Sequence, residues 1–133
     1  MTLQTILNRL QKLHPKEIDL SLDRVKNLCK KLGNPQKDLK YISVVGTNGK
    51  YSTIQALRAI LKEANIKCNI YTSPHIQRIN ERFIFNDEEI SDSDLSDLLV
   101  KVEEVNNGEK ITYFEILTAA YFFHASKYRE NIN

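Results

Sequence analysis

The stretch Tyr41-Ile42-Ser43-Val44-Val45-Gly46-Thr47-Asn48-Gly49-Lys50, running on into Tyr51-Ser52-Thr53-Ile54, decides how this 133-residue chain is read. Residues 41–45 are β-favouring and stop at a glycine, which predicts a largely buried strand. After Lys50 the apolar positions Ile54, Leu57, Ile60, Leu61 and Ala64 recur at helical period. A second β-favouring run follows at Cys68, Ile70 and Tyr71. Strand, loop, helix and strand of this kind close right-handed with parallel strands, which puts the loop at the carboxyl end of the first strand, where open α/β sheets bind ligands.

Phosphate binding requires converging backbone N–H groups, glycines that allow close approach, a helix amino terminus and a cation. Gly46, Thr47, Asn48, Gly49 and Lys50 offer all four, with amides continuing through Tyr51 and Ser52. Lys50 is the expected catalytic cation, placed to neutralise the β and γ phosphates of a nucleotide. The spacing departs from the common phosphate loop, because position 44 is Val and the residue after the lysine is Tyr51 rather than Ser or Thr. A glycine turn that merely joins strand to helix is the bland alternative; the strand before, the helix after and the lysine between them weigh against it.

Outward from the loop, Leu3, Ile6, Leu7, Leu10 and Leu13 predict an amphipathic helix halted by Pro15. Leu22, Val25, Leu28, Cys29 and Leu32 predict another, with Ser21 as a cap and Gly33 and Pro35 as the stop. Phe83-Ile84-Phe85, the Asn86-Asp87 turn and Ile90 suggest a small hairpin. Two further helices are expected. Ser91 or Asp94 caps the stripe Leu95, Leu98, Leu99, Val102 and Val105, and Thr112 with Glu115 has capping-box spacing ahead of an almost wholly apolar helix through Phe123.

Composition narrows the function. Lys and Arg number 19 against 17 for Asp and Glu, with the signs interspersed, so nucleic acid is a poor partner. No run is long and apolar enough for a membrane span, no signal peptide is visible, and the expected setting is cytoplasmic. Cys29 and Cys68 lack disulfide or zinc spacing and read as reduced core residues.

Motifs along the whole chain resemble those of the folylpolyglutamate and dihydrofolate synthases, a branch of the Mur-type ligases. Besides the loop, Ile18-Asp19-Leu20-Ser21-Leu22-Asp23-Arg24-Val25 is similar to the family's amino-terminal segment, with Ser21 where Gly is usual. Tyr71-Thr72-Ser73-Pro74-His75-Ile76 resembles its second signature, Asn80-Glu81-Arg82 follows, and Thr112-Tyr113-Phe114-Glu115 resembles a later one. The resemblance implies an incomplete P-loop domain of the Mur ligase-like central ATPase type, a three-layer α/β/α arrangement with parallel strands and a small hairpin. It implies an ATP-dependent ligase using Mg2+, in which a dihydropteroate or folate carboxylate is activated as an acyl phosphate and glutamate attacks to form an amide.

The same resemblance assigns Ser73 to magnesium, standing in for the hydroxyl missing at position 51, although a serine there also suits a turn before Pro74. It places Glu115 near the nucleotide and metal, although the capping box alone accounts for an acid. Pro74, His75 and Arg82 fall in the region that helps form the folate site, and a monomer is implied. Tyr51 replaces the family's glycine, where its side chain either crowds the phosphate or points away from it. Residues 1–133 are expected to be the amino-terminal part of the ATP-binding domain. The rest of it, including a strand with Glu-Val-Gly-Leu-Gly-Gly, and the carboxyl-terminal glutamate-binding domain are expected to be missing, so these residues alone are expected to be inactive. A non-catalytic nucleotide-binding module and another Mur-type amide ligase are the alternatives.

Overall fold

The computed structural model describes residues 2–15, 20–74 and 77–133. Five α-helices carry almost half of the described chain: α1 (Leu3–Gln11), α2 (Asp23–Lys31), α3 (Lys50–Glu63), α4 (Asp92–Asn106) and α5 (Tyr113–Ala125). The caps follow the sequence closely. Ser91 Oγ accepts from Asp94 N–H at the start of α4, and Thr112 and Glu115 close a reciprocal capping box on α5. At α2 the cap position is Leu22; Ser21 sits one residue earlier and accepts from Asp23 N–H at 3.2 Å.

The core lies where α1, α2, α4 and α5 meet. Leu10, Leu95, Leu99, Val102, Ile116 and Leu117 are all wholly or almost wholly buried there. The apolar character of α5 is explained by its position: it packs on α2, α4 and α1, so most of its faces are covered. Arg9 ties α1 to α4 through two hydrogen bonds to Glu103, of 3.1 and 2.6 Å.

A three-stranded antiparallel sheet abuts this bundle, ordered β1 (Ile70–Tyr71), β2 (Phe83–Phe85), β3 (Glu88–Glu89). The expected hairpin is present, and its two-residue turn works without glycine. Asn86 and Asp87 both adopt positive φ (53° and 69°), the backbone of a tight hairpin turn that short polar side chains tolerate. Cys68 and Asn69 hold that turn, since Cys68 C=O accepts from Asp87 N–H and Asn69 Oδ1 from Asn86 N–H.

The parallel strands differ from expectation. Residues 41–45 form no strand, and Tyr41, Ile42 and Val45 are 46%, 47% and 88% exposed rather than buried. The cause is the lack of partners. Lys40 and Cys68 do not pair with each other; each makes a parallel bridge to Ile132, which lies between them. Ile42 N–H donates to Asn133 O (2.7 Å) and Asn69 N–H to Ile132 O (2.8 Å), so the parallel sense is right, but no further rung reaches Ser43, Val44 or Val45. A β-favouring run forms a strand only when a neighbour satisfies its N–H and C=O groups. Helix α3 is likewise uncovered, since none of its residues is buried.

Candidate nucleotide and substrate site

The loop Gly46–Lys50 turns tightly into the start of α3. Gly46 and Gly49 take φ of 146° and 76°, and Gly49 is the cap of α3, so Lys50 is the first residue of that helix. A side chain at Gly49 would be strained by its backbone alone, since nothing lies within 4 Å of the Cβ position. Lys50 folds back so that Nζ donates to Gly46 C=O, holding the cation over the loop. Thr47, Asn48, Tyr51 and Ser52 are exposed around it, with Tyr51 71% exposed and directed to solvent rather than packed into the protein.

A second region gathers the other expected residues. Ser73, Pro74, Arg82 and Glu115 all line one cavity of 1020 Å³, together with Tyr113 and Phe114. The loop residues Gly46–Ser52 are not among those lining it. His75 lies outside the described residues, as do Ile18, Asp19 and Ile76. The Ser73–Pro74 peptide is cis. Burial pushes the Tyr71 and Tyr113 phenols up; the hydrogen bond to Thr118 and the charge of Arg82 oppose this at Tyr71, and the charge of Arg82 opposes it at Tyr113.

Glu115 is the most constrained acid at this cavity. Its Oε1 accepts from Thr112 Oγ1 (2.7 Å), from Thr112 N–H (3.3 Å) and from Arg24 Nε and Nη2 (3.1 and 3.0 Å). Its Oε2 is buried with no hydrogen-bond partner among the described residues. Buried acceptors are almost always satisfied, so this oxygen is available to a donor or a cation. No group of three or more His, Cys, Asp and Glu able to hold a metal occurs among the described residues. No helix there is long and apolar enough to cross a membrane.

A second cavity of 620 Å³ is lined by Tyr41–Val45 and by residues of α3 and α5, with Ile132 and Asn133. Two contributors to these sites were silent in the sequence. Arg24 carries no local signal that its partner is 91 residues away. The asparagines Asn69, Asn131 and Asn133 come together only when the fold closes.

The architecture, helices with a small antiparallel sheet, matches that of Mur ligase-like enzymes. No protein-family model matches the chain. The Haemophilus influenzae dihydrofolate synthase/folylpolyglutamate synthase is 37% identical over 123 residues, covering 91% of this chain and 28% of that protein. Escherichia coli FolC in complex with DHPP and ADP superposes with a TM-score of 0.90 at 32% identity, covering 99% of this chain and 32% of that one. The Yersinia pestis bifunctional folylpolyglutamate synthase/dihydrofolate synthase complexed with AMPPNP and Mn ion gives 0.88 at 32% identity, over 99% of this chain and 32% of that one. This chain belongs to the folylpolyglutamate synthase/dihydrofolate synthase family of ATP-dependent ligases. It spans about a third of the length of the relatives it matches.

Proposed function

We propose that these residues form the phosphate-binding and pteroate-binding portion of an ATP-dependent ligase that joins glutamate to dihydropteroate, to folates, or to both. The observation that carries this reading is the loop: Gly49 in a left-handed conformation capping α3, with Lys50 turned back over Gly46. The ADP and AMPPNP complexes of the relatives named above support it.

In this reading Lys50 and the amides of Gly46–Ser52 hold the β and γ phosphates of ATP. The wide cavity takes the pteroate, with Tyr113 and half-exposed Phe114 as aromatic walls for a flat ring. Pro74 and His75 belong to the same substrate loop, and Arg82 supplies positive charge for a substrate carboxylate. That carboxylate oxygen attacks the γ phosphorus, the bond to ADP breaks, and an acyl phosphate results. The glutamate amine then attacks the acyl carbon, phosphate leaves, and an amide forms.

Ser73 Oγ and Glu115 Oε2 are hard oxygen donors that suit Mg2+, which prefers one or two such ligands plus phosphate and water. When bound, Mg2+ screens the charge on the transferring phosphoryl group. Arg24 holds Glu115 so that only Oε2 stays uncommitted.

The finer architecture follows the same logic. Exposed Val45 and the apolar cavity beneath residues 41–45 fit a site for further parallel strands, which would complete a three-layer α/β/α sheet as part of an amino-terminal ATP-binding domain. We read the protein as a cytoplasmic monomer.

Calorimetric titration of the chain with MgATP and with dihydropteroate tests the proposal. Both ligands are expected to bind, and Lys50→Met is expected to weaken MgATP alone by about 10- to 100-fold, the worth of a charge-assisted contact. Adding glutamate to both should yield no ligated product. MgATP binding unaffected by Lys50→Met would refute the phosphate assignment, and turnover by this chain alone would refute its incompleteness.

A further inference from the structure

Between the first helices and the loop, the stretch Lys40–Ile42 is held by one residue from far along the chain. Asn133 meets Lys40 twice, since its backbone N–H donates to Lys40 O (2.9 Å) and its side-chain Nδ2 donates to the same oxygen (3.1 Å). Asn133 O accepts from Ile42 N–H at 2.7 Å. The opposite edge of the Asn133 side chain is anchored in the core: Oδ1 accepts from Tyr121 OH (2.7 Å) and from Asn69 Nδ2 (3.1 Å). Asn69, 1% exposed, also accepts from Asn131 Nδ2 (3.2 Å) and from the hairpin turn at Asn86 N–H (2.8 Å). The asparagines therefore lock three parallel segments, 40–42, 131–133 and 67–69, into one register. Ser43 to Val45, leading into Gly46, make no backbone hydrogen bond among the described residues, so the position of the loop is inherited from Ile42.

We propose that Asn133 is a positioning residue for the phosphate loop, registering Lys40–Ile42 against Tyr121 and Asn69 and so setting where Gly46–Lys50 stand. The proposal rests on the loop being the ATP phosphate site. Each amide hydrogen bond contributes modestly to stability, but a side chain that joins three segments couples their positions. Phosphate binding by several converging amides is sensitive to such a shift, because every donor moves together.

The test is Asn133→Ala in the 133-residue chain, with Tyr121→Phe as a milder variant that removes only one hydroxyl donor from Oδ1 and keeps the ring packing. Three quantities are read: MgATP affinity, dihydropteroate affinity, and amide hydrogen exchange over residues 42–49. Asn133→Ala should weaken MgATP about tenfold, the worth of one to two lost hydrogen bonds. Tyr121→Phe should weaken it less than that, dihydropteroate binding should change less than twofold in both, and exchange should quicken over 42–49 while α4 and α5 stay protected. MgATP affinity unchanged in Asn133→Ala, or equal loss for both ligands, overturns the proposal. A wild-type chain that binds no MgATP overturns it together with the phosphate reading, whereas wild-type binding with an unchanged variant overturns this inference alone.

Discussion

Arg24 and Glu115 form an ion pair that links α2 to the start of α5, and removing one partner has a computable consequence. Their side chains are 19% and 10% exposed, and both guanidinium contacts converge on a single carboxylate oxygen. Arg24→Ala leaves Glu115 charged and largely desolvated, with only the Thr112 contacts at 2.7 and 3.3 Å to compensate. Uncompensated buried charges of this kind cost about 3–5 kcal/mol. Because the pair retains some exposure, the lower end, about 3 kcal/mol, is the expected loss. At about 2.1 cal/mol/K per residue, this 133-residue chain has an unfolding entropy of about 0.28 kcal/mol/K, so Tm should fall by about 11 °C. The discriminating assay is a double-mutant cycle in urea. Glu115→Gln keeps the capping geometry but removes the charge, so Arg24→Ala should cost only about 1 kcal/mol in that background. Equal cost in both backgrounds, or a loss below about 1 kcal/mol in the wild type, would refute the argument that a stranded carboxylate is the cause.

Two further outcomes follow from the backbone and from burial. Gly49→Ala should lower stability by about 1–2 kcal/mol in chemical denaturation, through the left-handed backbone alone, because no atom lies within 4 Å of the added Cβ; a neutral effect would show that the cap relaxes freely. His124, packed edge-on to Phe85 with ring centroids 4.4 Å apart, has its pKa lowered from 6.5 to about 4, by burial first and then by Lys127, with Asp94 opposing. The unfolded imidazole therefore takes up a proton that the folded one resists, so this contribution is complete above pH 6.5 and is lost as pH falls from 6.5 through about 4. The urea midpoint should drop across that window and His124→Gln should flatten the drop; parallel curves for the two proteins would exclude His124 as the source.

Features written in local spacing were legible without the fold. The caps at Ser91 and Thr112, the apolar stripes of α1, α2 and α4, the Asn86-Asp87 turn and the Gly46–Lys50 turn into α3 each depend on residues within a few positions of one another. Local sterics and short-range hydrogen bonds are enough to decide them. The gathering of Ser73, Pro74, Arg82 and Glu115 around one cavity was anticipated only through the family resemblance, because those residues approach through tertiary packing.

What tertiary structure alone decided was pairing at long range. The run 41–45 has strand composition yet stays irregular, because β structure needs hydrogen-bonding neighbours and within the run only Ile42, next to the bridge at Lys40, finds one. The segment lying between the two expected strands is 131–133, which no periodicity marks as a strand. Arg24 on Glu115 and the asparagines around Asn133 are likewise products of topology. Helices and the glycine turn into α3 are legible in the residues alone because their energetics are local; which distant side chains hold Lys40–Ile42 and which oxygen of Glu115 stays without a partner depend on where separate segments meet.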